Sequence, residues 1–369
     1  MKILHTIYDD VDNPWCGGGG AVRAMEINRR LARKHEITLL TGHFPGAARE
    51  EHRDGIRIRR VGTGRNYLLS RLSFSALASR ALATWPFDLW VYDFSAFSPV
   101  YAFPSRQARS VMVFHHPVSA HATRKYPGIG LLAAAAEGLH TRLHRRIIAV
   151  SPSTALHLKR RARPNTPIHT VCNGVSHPPL AETREEDYIL FFGRMDTYNK
   201  GIDVLLPAFA RLKPAHPGVR LVLAGRGTEA RLNELTSISR SLGISDGVEL
   251  TGPVSEAEKW YLYAGALFTC QPSRYEGWGI AAIESGAAGK AVIGTEIPGL
   301  VDAIRPGRTG LLVPAEDPEA LAGAMDRLLL NARMRADLGK NGRAWAANFS
   351  WDRIAREQER VYVRSLEGQ

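Results

Sequence analysis

The chain has 369 residues, of which 44% are hydrophobic and 23% charged, the composition of a globular protein long enough for two domains. No window approaches the ~20 consecutive apolar residues that span a bilayer, and the apolar run Lys2–Ile7 is too short for a secretory signal. The three cysteines are scattered and fit no metal-binding spacing, so we expect a reducing, cytoplasmic environment.

The net charge of +12 is unevenly distributed along the chain. Residues 1–180 carry 25 Lys and Arg against 11 Asp and Glu, a net +14, whereas residues 181–369 carry 23 against 25, a net −2. A basic half and a nearly neutral half favour two units with different partners. Two explanations stay open for the basic half: solubility alone, or an anionic partner such as a membrane surface.

The first half alternates strand and helix patterns. Its predicted strands are Lys2–Ile7, Glu36–Leu40, Ile56–Val61, Leu89–Tyr92, Ser110–Phe114 and Ile147–Val150. Its predicted helices are Ala21–Lys34 and Leu68–Ala83. Ile56–Val61 alternates apolar and basic residues, which is typical of an edge strand. Strands separated by helices predict parallel pairing with right-handed crossovers.

The second half repeats this alternation. Its predicted strands are Tyr188–Phe192, Val219–Ala224, Val248–Thr251, Ala266–Thr269, Ala291–Gly294 and Gly310–Val313. Its predicted helices are Gly201–Leu212, Arg231–Leu242, Ser255–Ala264, Ile280–Gly286 and Pro318–Asn331. Each half therefore reads as an α/β, doubly wound, Rossmann-like sheet.

The domain boundary is predicted in a polar stretch with a proline pair, residues 177–187. We expect one domain over residues 1–177 and a second over residues 178–350. Ligands of doubly wound sheets bind beyond the carboxyl ends of the strands, so a cleft between the two domains is the expected site.

Glycine-rich turns follow several predicted strands. Gly17–Gly20, including Gly18 and Gly19, precede a helix, where backbone N–H groups can approach an anion. The run matches neither the dinucleotide-binding fingerprint nor a P-loop, and a flexible loop explains it as well. Gly225 and Gly227 follow another strand, where the backbone could pass close to a base or ribose, although a simple turn explains them equally.

Two cations follow the first strand of the second half. Gly193 and Arg194 come directly after that strand, and Lys200 precedes the next helix. Arginine can bind two oxygens with its planar fork, while lysine is a compact point charge. Two such cations beside a helix start suit a diphosphate better than they suit a solvated surface.

Two carboxylates stand eight positions apart in the stretch from Ser273 to Lys290. Glu276 lies before Gly277, Trp278 and Gly279, and the helix that follows should turn its free N–H groups toward a phosphate. Glu284 lies within that helix. Because one carboxylate can accept from two vicinal hydroxyls, the two acids are predicted to hold two sugars, one on each side of a pyrophosphate.

At these residues the chain resembles the retaining GT-B glycosyltransferases. The runs that carry the resemblance are Glu276-Gly-Trp-Gly-x4-Glu284, Gly193-Arg…Lys-Gly201, Val171-Cys-Asn-Gly-Val175, Ala149-Val-Ser-Pro-Ser-Thr154 and Phe349-Ser-Trp-Asp352. They are most similar to glycosyltransferase family 4, which includes sucrose-phosphate-synthase-like and phosphatidylinositol-mannosyltransferase-like enzymes. The resemblance spans both halves, is densest in residues 188–313, and is specific for fold and donor type but not for acceptor.

The resemblance implies a role for each matching residue of the second domain. Arg194 and Lys200 would bind the donor diphosphate and stabilise its charge as it leaves. Glu276 would hold the hydroxyls of the donor sugar, with the backbone N–H groups of Trp278 and Gly279 nearby, and Glu284 would bind the nucleotide ribose.

It also implies roles in the first domain. His115, at the end of the strand Val111–His116, would lie near the transferred sugar. The family often places Asp after that His, where this chain has His116, so which histidine faces the sugar stays open. Gly17–Gly20 would lie against the donor phosphate or the acceptor, and the C-terminal helix, residues 351–369, would cross back onto the first domain.

The implied reaction moves a hexose-type sugar from a nucleoside diphosphate sugar to a hydroxyl acceptor, by front-face transfer with retention. We expect no cofactor and no metal ion. Asp10 and Asp12 form an Asp-x-Asp pattern that can hold a hard cation, but they lie away from the predicted diphosphate site, and we interpret them as a solvated loop. No cluster of His and Cys predicts a zinc site.

The acceptor is predicted to bind the basic first half, through Arg49–Arg65 or Leu131–Ile148. The second stretch is amphipathic and basic, so it could contact anionic lipid at the inner face of the cell membrane, or simply pack on its own sheet. An anionic or lipid-linked acceptor and a soluble sugar or polysaccharide both stay open.

Two other functions are considered. A nucleotide-sugar 2-epimerase shares the two-domain plan but makes no new glycoside from a donor and an acceptor. A nucleic-acid-binding protein would account for the positive charge, but the charges are dispersed and lack the aromatic residues that interleave with them in such proteins. No nucleic-acid partner is therefore expected.

Overall fold

A computed structural model describes residues 1–117, 127–176 and 184–367. The chain divides into two compact units: Met1–Gly174 with Trp351–Gln369, and Val175–Ser350. The predicted boundary between residues 177 and 178 lies outside the described residues.

The first unit is built on an eight-stranded sheet over the described residues. The strands are β1 (Lys2–Thr6), β2 (Glu36–Gly42), β3 (Glu50–Arg53), β4 (Ile56–Val61), β5 (Leu89–Asp93), β6 (Ser110–Phe114), β7 (Ile147–Ala149) and β8 (Ile168–Thr170). Their spatial order is β3-β4-β2-β1-β5-β6-β7-β8, and every neighbouring pair is parallel except β3 with β4. The order reverses between β1 and β5, which puts the switch point of the sheet there.

The prediction that Ile56–Val61 is an edge strand is wrong. β4 pairs with β2 on one side and with β3 on the other, so β3 forms the edge. Arg57 and Arg59 of β4 make ion pairs with Glu50 of β3, at 3.1 and 2.8 Å. The basic residues of the alternating pattern therefore face a charged neighbouring strand.

Within the described residues, five helices of the first unit precede the second unit. They are α1 (Gly19–Leu31), α2 (Tyr67–Thr84), α3 (Pro104–Gln107), α4 (Pro127–Leu143) and α5 (Pro152–Lys159). The central strands β5 and β6 are buried along their whole length, as strands of a parallel sheet covered on both faces should be.

The second unit is a six-stranded parallel sheet over the described residues. Its strands are β9 (Tyr188–Phe192), β10 (Arg220–Ala224), β11 (Val248–Gly252), β12 (Phe268–Gln271), β13 (Val292–Thr295) and β14 (Gly310–Val313), in the order β11-β10-β9-β12-β13-β14. Its helices are α6 (Ile202–Leu212), α7 (Glu229–Ser241), α8 (Glu256–Gly265), α9 (Ile280–Ala287), α10 (Leu300–Ala303), α11 (Pro318–Leu330) and α12 (Ala332–Ala346). The strand order reverses between β9 and β12, so the switch point lies between those two strands.

The last helix, α13 (Trp351–Glu367), belongs to the first unit and packs on α1. Asp352 accepts from Arg30 at 2.5 Å, and Glu359 accepts from His35 at 3.0 Å. A side chain at Gly174 would lie 2.4 Å from the ring of Trp351, so the glycine lets the indole pack directly on the backbone. Among the helices of the described residues, none has the length and apolar character needed to cross a membrane.

Two histidines of the first unit lie in its aromatic core. His140 on α4 and His144, which follows it, are each 1% exposed, and their rings pack against Tyr92. His144 shares a hydrogen bond of 2.9 Å with Ser110, while neither ring nitrogen of His140 has a partner within the described residues. Burial lowers the pKa of His140 to about 4, and burial together with His140 lowers the pKa of His144. Both rings are therefore neutral at pH 7.

Acid is expected to destabilise the first unit through His140. Below the ordinary histidine pKa of about 6.5, His140 binds a proton in the unfolded chain but stays neutral in the folded protein. The free energy of unfolding therefore decreases as the pH falls from 6.5 toward 4. Between pH 6.5 and 5 the loss from this residue should be between about 1 and 2 kcal/mol. Urea unfolding of His140→Phe should show a smaller acid loss than the wild type. A variant at the exposed His52, His52→Phe, should keep the wild-type loss, and equal curves for all three proteins would contradict the prediction.

Candidate active site

Two loops of the second unit lie side by side at the switch point of its sheet. One loop follows β9 and runs to Gly201, and the other follows β12 and begins at Pro272. Gly201 has a φ of 68°, and a side chain there would lie 1.9 Å from the carbonyl oxygen of Pro272. Glycine is thus required both by the left-handed backbone and by the contact between the loops.

The facing loops bring together Lys200 and Glu276. The Lys200 Nζ lies 2.5 Å from Glu276 Oε1, and the Ser273 hydroxyl donates to the same oxygen at 3.0 Å. The Lys200 and Glu276 side chains are only 18% and 15% exposed, so the ion pair is largely shielded from water. Sequence reasoning placed both residues in one site but did not foresee that they would bind each other.

Arg194 provides an exposed cation in the same loop as Lys200, directly after Gly193. Its side chain makes no hydrogen bond or ion pair with the part of the chain that the structure describes. Within this loop the Lys200 side chain lies near Gly193, since its Cε would be 4.0 Å from a side chain placed at that glycine. The guanidinium of Arg194 is free to bind an anion.

Gly225 and Gly227 have a structural reason to be glycine. Gly225 has a φ of 135°, and a side chain there would lie 2.0 Å from the carbonyl oxygen of Gly193. A side chain at Gly227 would lie 2.7 Å from the Cβ of Met195. These glycines let the loop after β10 pack closely on the loop that carries Arg194. This packing accounts for glycine at both positions without a bound ligand, as the simple-turn interpretation does.

The helix α9 begins directly after the loop that carries Glu276. Gly279 precedes its first residue with a φ of 69°, and no side chain caps the first turn. The N–H groups at this helix start carry partial positive charge. The Trp278 side chain is 3% exposed and packs edge-to-face on Phe349, which anchors the loop. Next to it, a side chain at Gly299 would lie 2.5 Å from the carbonyl oxygen of Glu276.

Glu284 on α9 is engaged by two side chains that sequence reasoning missed. Lys259 Nζ lies 2.8 Å from Oε1, and the Tyr263 hydroxyl donates to Oε2 at 3.1 Å. Burial alone would lower the pKa of Lys259, but Glu284 and Glu256 raise it overall. Lys259 and Tyr263 are four residues apart on α8, so helical spacing could have placed them on one face but not opposite Glu284.

Arg274 ties the two loops together. Its guanidinium binds both carboxylate oxygens of Asp203, at 2.7 and 2.9 Å, and it also donates to Glu316 at 2.6 Å and to the carbonyl oxygen of Tyr198 at 2.6 Å. Burial lowers its pKa, yet the hydrogen bonds to Asp203 and Glu316 raise the pKa overall. Arg274 therefore joins the segment that carries Lys200 to the loop that carries Glu276.

In the first unit, His115 rather than His116 turns into the fold. His115 hydrogen-bonds the buried Asp93, whereas His116 is exposed. A side chain at Gly20 would lie 3.5 Å from the His115 ring, so the glycine run and His115 are neighbours. Gly18 has an extended backbone and open space around it, so neither conformation nor packing requires glycine there, and Gly19 is exposed at the first position of α1.

The interpretation of Asp10 and Asp12 as a solvated loop is wrong for Asp10. Asp10 is 5% exposed, and it accepts from Thr41 at 3.0 Å and from Arg60 at 2.9 Å. Asp12 is ion-paired with Arg53 at 2.6 Å. The described residues contain no group of three or more His, Cys, Asp or Glu side chains arranged to hold a metal ion.

Both units are doubly wound α/β sheets with polar side chains at the carboxyl edge, which is the organisation of the GT-B class. A family model described as "Glycosyltransferase Family 4" matches residues 17–177, and one described as "Glycosyl transferases group 1" matches residues 175–345. Together the two models span most of the chain. The chain therefore belongs to glycosyltransferase family 4, within the GT-B glycosyltransferases.

Known proteins agree with this assignment. The D-inositol 3-phosphate glycosyltransferase of Acidothermus cellulolyticus is 36% identical over 185 residues, which cover 48% of this chain and 41% of the relative. The chain thus matches less than half the length of that curated relative.

Solved structures show the same fold over the whole chain. Sucrose-phosphate synthase from Thermosynechococcus elongatus superposes with a TM-score of 0.85 at 21% identity, covering 100% of both chains. HepE of Anabaena in complex with UDP-glucose superposes with a TM-score of 0.74 at 17% identity, also covering 100% of both chains.

Proposed function

We propose that the protein transfers a hexose-type sugar from a nucleoside diphosphate sugar to a hydroxyl acceptor, with retention and without a metal ion. The observation that carries this proposal is the shielded contact between Lys200 and Glu276, in loops one of which also carries Arg194, whose side chain is unpaired within the described residues. This contact supports the proposal because lysine is a cation that suits phosphate, a carboxylate accepts from sugar hydroxyls, and both loops follow strands at the edge where doubly wound sheets bind ligands.

The diphosphate would bind Arg194, Lys200 and the start of α9. Arg194 needs no rearrangement, because its side chain is exposed and makes no bond in the described structure. Lys200 would exchange Glu276 for phosphate oxygens, and the uncapped N–H groups of α9 would add partial positive charge. These groups would stabilise the charge that develops on the departing diphosphate.

The two acids would hold the sugars on either side of the diphosphate. Once Lys200 turns to the phosphate, Glu276 can accept from hydroxyls of the transferred sugar. Glu284 would accept from the ribose hydroxyls, with Lys259 and Tyr263 holding its carboxylate in place. A carboxylate has enough acceptor positions to keep one of these partners and bind hydroxyls as well.

Retention would follow if the acceptor attacks from the face that the diphosphate leaves. The leaving phosphate oxygen would take the proton of the acceptor hydroxyl, so no second carboxylate is needed as a nucleophile, unlike in paired-acid glycosidases. The contribution of the protein is then positioning and charge stabilisation.

The relatives support a nucleotide-sugar donor and a phosphate-bearing acceptor. One solved neighbour contains UDP-glucose, and the curated relative acts on D-inositol 3-phosphate according to its name. The positive charge of the first half suits an anionic acceptor. A lipid-linked acceptor would suit α4, whose Leu131, Leu132 and Leu139 are exposed while its other face packs into the core. We therefore propose a cytoplasmic protein with peripheral membrane contact.

A donor screen tests this function directly. Thermal shift with UDP-, GDP-, ADP- and dTDP-sugars should single out one nucleotide, and proton NMR of the product should show the anomeric configuration of the donor. Excess EDTA should leave turnover unchanged. Inverted product would overturn retention, loss of turnover in EDTA would overturn metal independence, and release of a free 2-epimer without a new glycoside would overturn transfer.

A further inference from the structure

Four buried or half-buried side chains form a hydrogen-bonded chain at the switch point of the first sheet. His115 follows β6, Asp93 ends β5, His5 lies on β1 and Asn28 lies on α1. Nε2 of His115 bonds one carboxylate oxygen of Asp93, and Nε2 of His5 bonds the other. Asn28 completes the chain with a contact of 2.8 Å from its Nδ2 to Nδ1 of His5. Asp93, His5 and Asn28 are at most 3% exposed.

The order of donors along this chain determines the histidine tautomers. The amide Nδ2 of Asn28 donates, so Nδ1 of His5 accepts and the proton of neutral His5 lies on Nε2. His5 then donates to Asp93, and an ionised carboxylate can only accept. His115 must donate to the second oxygen of Asp93 from Nε2, which leaves Nδ1 of a neutral His115 without a proton.

The charges around this hydrogen-bonded chain indicate that Asp93 is ionised. Burial raises the pKa of the Asp93 carboxyl, but His5 and His115 outweigh burial and hold that pKa well below its ordinary value. Arg23 on α1 is 1% exposed, donates to the carbonyl oxygen of Val171 at 3.1 Å, and interacts electrostatically with Asp93. Arg23 therefore supplies a buried countercharge for the Asp93 carboxylate in addition to its two histidine partners.

Nδ1 of His115 is the accessible end of this hydrogen-bonded chain of side chains. The His115 side chain is 19% exposed although its Nε2 is bound to a nearly inaccessible carboxylate. Nδ1 makes no bond with the described residues, and the ring lies against Gly20 of the glycine run. An unprotonated nitrogen at that place accepts a hydrogen bond and cannot donate one.

We propose that Asp93 is a positioning residue, which, with His5 and Asn28 behind it, holds His115 in the tautomer protonated on Nε2, so that Nδ1 accepts from a substrate hydroxyl. The inference rests on the proposed function for the identity of the substrate, but the tautomer itself is a property of the free protein. A carboxylate that fixes an imidazole in this way keeps the ring ready for its partner before the substrate arrives. His115 contacts the hydroxyl, and Asp93 acts only through His115.

The tautomer can be measured without any ligand. In protein labelled with ¹⁵N-histidine, long-range ¹H–¹⁵N spectra at pH 7.5 separate protonated from bare ring nitrogens, and the spectrum of His115→Gln identifies the His115 signals. We expect Nδ1 of His115 to resonate as a bare nitrogen and Nε2 as a protonated one. A wild-type ring with averaged shifts, with the proton on Nδ1, or with both nitrogens protonated would overturn the proposal, whether or not any variant folds.

Variants then test whether Asp93 is the cause. Asp93→Asn should move the His115 shifts toward tautomer averaging and should lower kcat by about ten- to a hundredfold, with little change in KM, for any nucleotide sugar that the wild type turns over in the donor screen. Glu137→Gln is the matched control, because Glu137 is also a fully buried carboxylate that binds a histidine, His157, at 3.3 Å. It should leave the His115 spectrum and kcat unchanged.

The donor screen and the histidine spectra can fail independently of each other. If no nucleotide sugar is turned over, the proposed function falls while the spectra still decide the tautomer. Unchanged His115 shifts in Asp93→Asn, or the same change in Glu137→Gln, would overturn the positioning role even in an active transferase.

Discussion

Replacing Glu276 by alanine is expected to reduce turnover about a hundred- to a thousandfold while affinity for the nucleoside diphosphate is kept or increased. The loss arises because the hydroxyls of the transferred sugar lose their carboxylate. The gain arises because Lys200, now bound to Glu276 at 2.5 Å, no longer has to leave an ion pair to reach the phosphate. A contact of about 1 kcal/mol corresponds to roughly fivefold in affinity.

Calorimetry with UDP, GDP, ADP and dTDP, together with steady-state turnover, measures both effects. Glu249 provides the control, because it is an exposed acid of the same unit, ion-paired with Arg220 at 2.7 Å on the edge strand β11. Glu249→Ala should change neither quantity. Parallel losses of turnover and diphosphate affinity in Glu276→Ala would contradict the sugar-holding role.

Replacing Lys200 by alanine is expected to weaken diphosphate binding by about tenfold to a hundredfold, the size of a hydrogen bond to a charged group. The variant also leaves Glu276 without its cation, so repulsion between this carboxylate and the phosphate adds to the loss. Calorimetry with the nucleoside diphosphate that the wild type binds most tightly measures the change.

The matched variant is Lys213→Ala. Lys213 directly follows α6, and its side chain is 18% exposed, as that of Lys200 is. It forms an ion pair with Asp246 at 3.7 Å. The Lys213→Ala variant should bind the nucleoside diphosphate with the affinity of the wild type. Wild-type affinity in Lys200→Ala would remove that lysine from the site.

The sheets could be predicted from the sequence because buried parallel strands are short apolar runs bounded by turns. β4, β6, β9 and β14 begin and end where they were predicted, the other predicted strands differ by one or two residues at an end, and the short strand β8 was not predicted. β3 could not be predicted, because its sequence Glu-Glu-His-Arg has no apolar residue, and it is a strand only through its ladder with β4.

The candidate site could be predicted only where its residues belong to one local pattern. Glu276, Glu284, Arg194 and Lys200 stand next to strand ends or helix starts, so their spacing indicates chemistry. Contacts between residues far apart in the sequence could not be predicted in this way. Asp93 lies 88 residues from His5 and 22 from His115, and no local pattern in the sequence relates the three.

The contacts of Arg274 limit how the loops of this site can be exchanged in engineered variants. Because one guanidinium joins Asp203, Glu316 and the carbonyl oxygen of Tyr198, the segments that follow β9, β12 and β14 are tied together. Exchanging one segment for that of another transferase would leave the arginine or its carboxylate without a counterpart. Successful chimeras should therefore be those in which these segments are transplanted together.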